Sequence, residues 1–433
     1  MDQAQERPSF RLSLICLLCL GSFFYVSYGF SNWLASRRAD VPSIVFEWER
    51  YIPFIRWTIV PYWTTNIFYA ASFFLCRSKI EFRSHVCRLL TAQLISIFCF
   101  IAFPLQFSLP KPDTAGSFGF FYDALALFDK PFNQAPSLHI ALTVILGALY
   151  LKILPKAAGV FFAFWSLLVM TSVLTTYQHH FIDVPTGLLL GLFCLWLWPA
   201  DGSKHDIQLP VVCGRRLMLA GAYTTAAALI TIAGFSLQGA FLWMLWPAGS
   251  LAAVGAGYLI LGTSIFGKTS SGALGWPSRI FLFPYLQAAR LNALLWTRGD
   301  PEAVEILDGV YLGSFPSGVT AAKFATVVDL TGEFHAPQTS AEWISMPLLD
   351  LVAPQPRELV ATALEIEKSR KKGPLLVVCA LGYGRSVAAI AVWLVRAGHI
   401  DNMNAAIDFI RLKRPKLSLA KEQRSAIQEA VDA

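Results

Sequence analysis

Residues Leu375–Arg396 read LLVVCALGYGRSVAAIAVWLVR. The four apolar residues Leu375–Val378 have the pattern of a short buried strand, and Ser386–Val395 carries apolar side chains at helical spacing. Between them lies Cys379-Ala-Leu-Gly382-Tyr-Gly384-Arg385-Ser386. A strand–loop–helix of this kind gathers backbone N–H groups around one point at a helix N-terminus, and such a point binds a dianion. The same amides favour a thiolate over a thiol. Gly382 and Gly384 allow the tight turn. Arg385 can grip two phosphate oxygens at once. Cys379 is therefore a candidate nucleophile in a candidate phosphate site.

The order Cys379, Gly382, Arg385, Ser386 resembles the C-x-x-G-x-x-R-S signature of the protein tyrosine phosphatase superfamily, in its dual-specificity branch. The resemblance covers roughly residues 300–430. Gly309-Val-Tyr-Leu-Gly313 and Ala325-Thr-Val-Val-Asp-Leu330 look like the family's early strands. It implies an α/β fold and cysteine-based phosphate ester hydrolysis. Cys379 is then the nucleophile, and Arg385 with the loop amides, those of Gly382 and Gly384 included, holds the phosphate. Ser386 supports the departing thiolate. The resemblance also calls for a general acid on a separate loop. Asp350, 29 residues before Cys379 and after an apolar run, has the matching spacing. One departure is Val378, where the family usually has His.

The rest of the chain has a different composition. Of 433 residues, 55% are hydrophobic and 15% charged, against roughly 25% charged in soluble proteins. Ile207–Gly299 contains no Asp or Glu, while 16 of the 28 acidic residues follow residue 299. A domain boundary just before residue 300 is expected. The net charge of +7 sits in short loops between apolar runs, which is the pattern of membrane topology rather than of nucleic-acid binding. Seven of the eight cysteines precede residue 214, mostly inside apolar runs, and show no paired metal spacing.

A spanning helix needs roughly 20 mostly apolar residues. Spans are expected near 12–30, 52–75, 90–110, 138–153, 158–176, 184–199, 217–235 and 240–263. The first reads as an anchor, with a signal peptide as the alternative. With the N-terminus inside, eleven loop cations are cytoplasmic (Arg7, Arg11, Arg77, Lys79, Arg83, Arg88, Lys152, Lys156, Lys204, Arg215, Arg216). Five, Arg37, Arg38, Arg50, Lys111 and Lys130, are external. The excess puts both the N-terminus and the C-terminal domain in the cytoplasm of a multi-pass inner (plasma) membrane protein. A reduced thiol at Cys379 needs that compartment. Arg279–Arg298, apolar but broken by Pro284 and Arg290, reads as a helix lying at the inner surface, with a ninth span as the alternative.

Two polar clusters interrupt these spans. Pro136-Ser137-Leu138-His139 opens the fourth, and Gln178-His179-His180-Phe181-Ile182-Asp183 opens the sixth. His139 and His179 lie 40 residues apart, one helix across and one back. His179 and Asp183 are four apart and share a helix face, so the carboxylate can hold the imidazole tautomer for nucleophilic attack. His180 points about 100° away and reads as structural. The pattern is similar to the type-2 phosphatidic acid phosphatase superfamily, with motifs K-x6-RP, PSGH and SR-x5-H-x3-D. Pro136–His139 gives the second motif; Ser172, His179 and Asp183 give the third. Val173 stands where the third motif has Arg, and the first is reduced to Lys111-Pro112. The resemblance implies His179 as nucleophile, Asp183 as its orienter and His139 as leaving-group acid. Lys111 and Ser137 would bind phosphate oxygens, and no metal or cofactor is implied. Asn133–His139 and Gln178–Gly187 look most like the inositol phosphorylceramide synthase branch, whose members transfer a phospho-head group instead of hydrolysing it.

Together these readings give the expected fold class. It is an all-α polytopic membrane domain, a six-helix phosphatase core plus two helices, followed by an α/β cysteine-dependent phosphatase domain. The expected divisions are 1–200 for the core, 201–270 for two further spans, 271–299 for the linker helix and 300–433 for the cysteine domain. The expected function is a two-site membrane phosphatase: an outward-facing histidine site for lipid phosphates and a cytoplasmic cysteine site for phosphoprotein or lipid phosphate. The alternatives are a lipid head-group phosphotransferase with an accessory phosphatase domain, and a phosphate sensor without turnover. Membrane lipid and a phosphorylated lipid or phosphoprotein are the expected partners, and nucleic acid is not.

Overall fold

The computed structural model describes residues 6–114, 116–202 and 214–433. They fall into two compact units, one of Met1–Lys204 with Ala233–Met244 and one of His205–Ile232 with Leu245–Ala433. The division differs from a cut near residue 300: segments of both late spans group with the cysteine domain.

The first unit is all-α. Its helices are α1 (Phe10–Ala35), α2 (Ile59–Leu75), α3 (Lys79–Ala102), α4 (Gly119–Phe128), α5 (Leu138–Ile153), α6 (Lys156–Thr175) and α7 (Asp183–Leu197). The third expected span starts eleven residues early. Lys79, Arg83 and Arg88, expected in a loop, belong to α3, and Lys204 lies outside the described residues. Ser78 caps α3 by accepting from the Glu81 amide. The polar side chains of its first half find partners inside the unit. Glu81 pairs with Lys152 at 2.6 Å, His85 bonds Ser72 at 2.8 Å, and Arg88 donates to the Trp198 carbonyl at 2.7 Å. Buried polar groups so matched are tolerated in an apolar helix. α4 was not among the expected elements.

Helices α5 and α7 pack face to face because α7 carries glycine at one-turn spacing. A Cβ on Gly187 would lie 2.6 Å from the Ser137 carbonyl oxygen, and one on Gly191 would lie 2.7 Å from Val144. Small residues four apart let apolar helices approach closely without water. This contact brings the start of α5 against the start of α7.

The second unit contains α8 (Gly214–Leu237) as far as Ile232 and α9 (Leu245–Ala256), then α10 (Trp276–Phe281) and α11 (Phe283–Thr297). A five-stranded sheet follows, in the order β1-β2-β5-β3-β4. The strands are β1 (Ala303–Leu307), β2 (Val310–Gly313), β3 (Thr326–Thr331), β4 (Glu342–Leu348) and β5 (Leu375–Val378). β1 is antiparallel to β2, and the other pairings are parallel. β3 and β5 are buried at every residue, as interior parallel strands are. α12 (Gly318–Ala321), α13 (Pro356–Ser369), α14 (Arg385–Arg396), α15 (Met403–Lys413) and α16 (Lys421–Asp432) complete it. α14 is the central helix of the core, with Arg385–Leu394 all buried. The expected α/β domain is present.

Among the described residues, five helices are long and apolar enough to cross a membrane, Phe10–Ala35, Lys79–Ala102, Lys156–Thr175, Gly214–Leu237 and Gly239–Phe266. Gly119–Phe128, Leu138–Ile153 and Asp183–Leu197 are shorter apolar helices. The expected linker helix is two helices, broken at Leu282 ahead of Pro284.

Lys268, after the last apolar segment, reaches into the sheet. Its Nζ meets Asp329 Oδ2 at 2.5 Å and the Thr331 carbonyl at 2.7 Å, with both charges about fully buried. Removing one member of a buried pair strands the other charge, at about 3–5 kcal/mol. Lys268→Ala therefore lowers the thermal unfolding midpoint of the full chain by on the order of 10 °C, read by melting in nanodiscs. A midpoint within about 2 °C of wild type would show that the pair contributes little.

Candidate active sites

In the second unit the site forms where β5 runs into α14. Gly382 sits at φ +73°, and a Cβ there would lie 2.7 Å from the Gly313 carbonyl oxygen, so the turn requires glycine. The turn aims the Gly382 amide at Cys379 Sγ, 3.2 Å away, and the Ser386 hydroxyl donates to the same sulfur at 3.2 Å. Both donors stabilise negative charge on sulfur. Val378, where the resembling family has His, packs with Val327, Leu376 and Ala321.

Arg385 is buried, and Glu333 holds it in a two-pronged pair at 2.7 and 3.1 Å. The Leu348 carbonyl accepts a third bond at 3.0 Å. Asp350 Oδ1 lies 3.2 Å from the guanidinium and is half-exposed. Burial disfavours the Arg385 charge, but Asp350 and Glu333 outweigh it and hold the guanidinium above its ordinary value. Burial pushes the Glu333 carboxyl up, and Arg385 more than offsets this, leaving it below the usual range. The Arg385 Nε is buried with no partner among the described residues, which leaves a charged donor for an anion. So Cys379, Gly382, Arg385, Ser386 and Asp350 converge. Gly384 caps α14 at φ −128° and contributes the turn.

Glu333 was not among the sequence candidates. It lies four residues past Asp329, on the loop after β3, and no motif marks it. Glu333→Gln keeps the shape but removes the charge that orients Arg385. Losing a hydrogen bond to a charged group costs about 1.5–3 kcal/mol, so phosphate release at this site falls by roughly 10- to 100-fold. Steady-state kinetics on a soluble aryl phosphate test this, and a rate within twofold of wild type would exclude the role.

The phosphate loop is also tied to its surroundings. The Tyr383 hydroxyl shares its one proton between the Asp300 carboxylate and the Trp296 carbonyl of α11, the latter at 3.1 Å. Arg414 donates to the Leu381 and Pro301 carbonyls at 3.2 and 2.7 Å.

The histidine site lies in the first unit, where α5 and α7 begin. His179 Nδ1 is 3.0 Å from Asp183 Oδ2, and both are buried. Asp183 Oδ2 also accepts the His180 amide at 3.1 Å, while its Oδ1 has no partner among the described residues. Tyr177, at φ +55°, turns the chain just before His179, and the His179 amide closes onto the Val173 carbonyl at 3.0 Å. His139 stacks on Tyr62 at 4.0 Å, with its ring 6.4 Å from that of His179. Ser137 caps α5, and its amide donates to the Asp183 carbonyl at 3.1 Å. Lys111 Nζ is 3.4 Å from Gln178 Oε1, beside His179. The residues expected to act together are thus adjacent.

The surroundings of three residues were not legible beforehand. His180 is a structural pair: its Nε2 accepts the Ser108 amide at 3.1 Å, so Nδ1 carries the proton and donates to buried Glu49 at 2.9 Å. Val173 is fully buried beside Ile59, Tyr62 and Ile140, and Ser172 donates to the Val169 carbonyl of its own helix. Gln134, buried, donates to the Gln178 carbonyl at 3.1 Å while its Oε1 has no partner among the described residues. The sequence signal for Gln134 was only its place three residues ahead of Ser137.

Residues 85–205 match the model of the PAP2 superfamily. The first unit therefore carries a PAP2 superfamily domain, which is the phosphatase class expected of it. No curated protein matches the chain. Among solved structures, PTPMT1 in complex with PI(5)P is 18% identical with a TM-score of 0.28, over 30% of this chain and 96% of that one. Tk-PTP in its active form is 24% identical with a TM-score of 0.28, over 31% of this chain and 98% of that one. Human DUSP28 is 20% identical with a TM-score of 0.28, over 30% and 95%.

Proposed function

We propose that this protein is a membrane phosphatase with two separate sites. The observation that carries the reading is the Cys379 loop, where one sulfur receives an amide and a hydroxyl beside a buried arginine with an unpartnered Nε. The Cys379 thiolate attacks phosphorus, and the ester P–O bond breaks as the S–P bond forms. Asp350 gives its proton to the leaving oxygen, which departs as an alcohol. Water then attacks the thiophosphate and returns a proton to Asp350, releasing inorganic phosphate and the thiolate. Arg385 and the loop amides neutralise the charge that develops on the phosphoryl oxygens. Ser386 donates to the thiolate as it leaves. The substrate is a phosphoprotein or a lipid phosphate.

At the other site His179 attacks phosphorus through Nε2, with Asp183 fixing Nδ1–H. The ester P–O bond breaks as the N–P bond forms, and His139 protonates the leaving oxygen; water, giving a proton back to His139, then breaks the N–P bond and releases phosphate, while Lys111 and Ser137 hold phosphate oxygens. This site takes phospholipid-related esters and faces outward, while the N-terminus and the cysteine domain are cytoplasmic. The loop charges support that orientation. A second reading has the phosphoryl or head group pass to an alcohol instead of water. It is favoured by Val173, whose burial in an apolar cluster supplies no guanidinium at that position.

The test is phosphate release by wild type, Cys379→Ser and His179→Ala in nanodiscs, against lipid phosphates and phosphopeptides, with and without an alcohol acceptor. Each variant is expected to lose one substrate set and keep the other. Retention of every activity in both variants would defeat the two-site reading. Product that needs the acceptor would establish transfer.

A further inference from the structure

Within the second unit, the phosphate loop opens into a cavity of about 890 Å³. Ala380 and Leu381 of the loop line one end, together with Glu333 and Asp350. The opposite wall comes from the apolar helices: Tyr223 of α8, Leu251 of α9, and Pro284, Ala288, Ala289 and Ala293 of α11. α8 and the segment containing α9 are among the helices apolar enough to cross a membrane. A phosphate group alone fills only a small part of such a space. The volume is that of a pocket for a whole small molecule, roughly 300–1,000 Å³.

We propose that this cavity seats the hydrocarbon chain of a lipid phosphomonoester whose phosphate lies on the Cys379 loop. The inference rests on the cysteine-phosphatase reading and names its substrate class. A phosphopeptide would bring backbone N–H and C=O groups that need partners when buried. The α9 and α11 walls are mostly alanine, leucine and proline, with Tyr285, Asn292 and Trp296 of α11 as their hydrogen-bonding side chains, too few to partner a buried peptide backbone. A hydrocarbon chain asks for no partners. The cavity is also continuous with the reacting end, because Asp350 and the loop residues line it alongside Leu251 and Ala288. The anchor of Tyr383 on the Trp296 carbonyl ties the phosphate loop to the helix that walls the chain. Phosphate and chain positions are thereby set against each other.

The test uses the full chain in lipid nanodiscs, in a His179→Ala background so that only the cysteine site is read. The probes are decyl phosphate, phenyl phosphate and a phosphotyrosine peptide. Ala288→Trp and Leu251→Trp, made separately, fill the cavity from different helices. The expected result is that the ratio of kcat/KM for decyl over phenyl phosphate falls at least about tenfold in each variant, since chain contacts are lost and chemistry is common to both. A ratio that stays constant, including equal losses on both substrates, overturns the proposal. So does a phosphopeptide used better than decyl phosphate by the unfilled protein. If neither ester releases phosphate in the background protein, or if adding Cys379→Ser leaves release intact, the cysteine-phosphatase reading itself has failed.

Discussion

Cys379→Ser is expected to stop phosphate release at the cysteine site, by at least about 10⁴-fold, with the histidine site still active. The size follows from what serine keeps and loses. It keeps the loop, since Gly382 and Ser386 can still donate to a hydroxyl oxygen where the sulfur stood. It loses the nucleophile, because an alcohol oxygen attacks phosphorus far less readily than cysteine sulfur. Arg385 remains paired with Glu333, so phosphate binding persists. The variant should therefore still bind orthophosphate while turnover disappears. Assays on phenyl phosphate in a His179→Ala background measure this directly. Turnover within about tenfold of the parent would remove Cys379 from the mechanism.

Asp183→Asn carries the second largest effect, about 10³- to 10⁴-fold at the histidine site. Asp183 Oδ2 accepts from both the His179 ring and the His180 amide. An asparagine can present its oxygen to that pair, but it brings no charge to balance the cation that forms on His179. If it turns its amide nitrogen to the ring instead, the imidazole takes the wrong tautomer. Losses of this order accompany the same change in serine-protease triads. The fold should survive, because Asn is isosteric and the Gly187–Ser137 packing is untouched. Lipid-phosphate hydrolysis in a Cys379→Ser background gives the rate, and thermal melting checks the fold. A fall below tenfold with an unchanged melt would assign Asp183 to structure alone.

Both predictions draw on residues that the chain places close together. Cys379, Gly382, Arg385 and Ser386 span eight positions, so the turn that assembles them is local. His179 and Asp183 are four apart and also meet locally, although not on one helix face as expected: His179 lies in the turn ahead of α7 and Asp183 is the first residue of that helix. Glu333 was illegible because its partner lies 52 residues away and pairs with it only when β3 and β5 are neighbours. His180 was read as structural from its angle alone, but Glu49, which makes it so, lies 131 residues earlier. The charged start of α3 was misplaced because hydropathy cannot see Glu81, His85 and Arg88 finding partners within the unit.

The sequence by itself determined that the chain joins apolar helices to an α/β domain, and that Cys379 and His179 are the two nucleophile candidates. Periodicity, loop charge and contiguous motifs act over a few residues, and that information is carried in the chain order. Only the tertiary structure decided what surrounds the Cys379 loop. The buried Glu333–Arg385 pair, the Tyr383 tie to α11 and the apolar cavity beside Asp350 are each made by segments distant in sequence. Their contacts depend on how helices and strands pack, which no local pattern encodes. The loop thus defines the chemistry, and its packed surroundings define the molecule that can reach it.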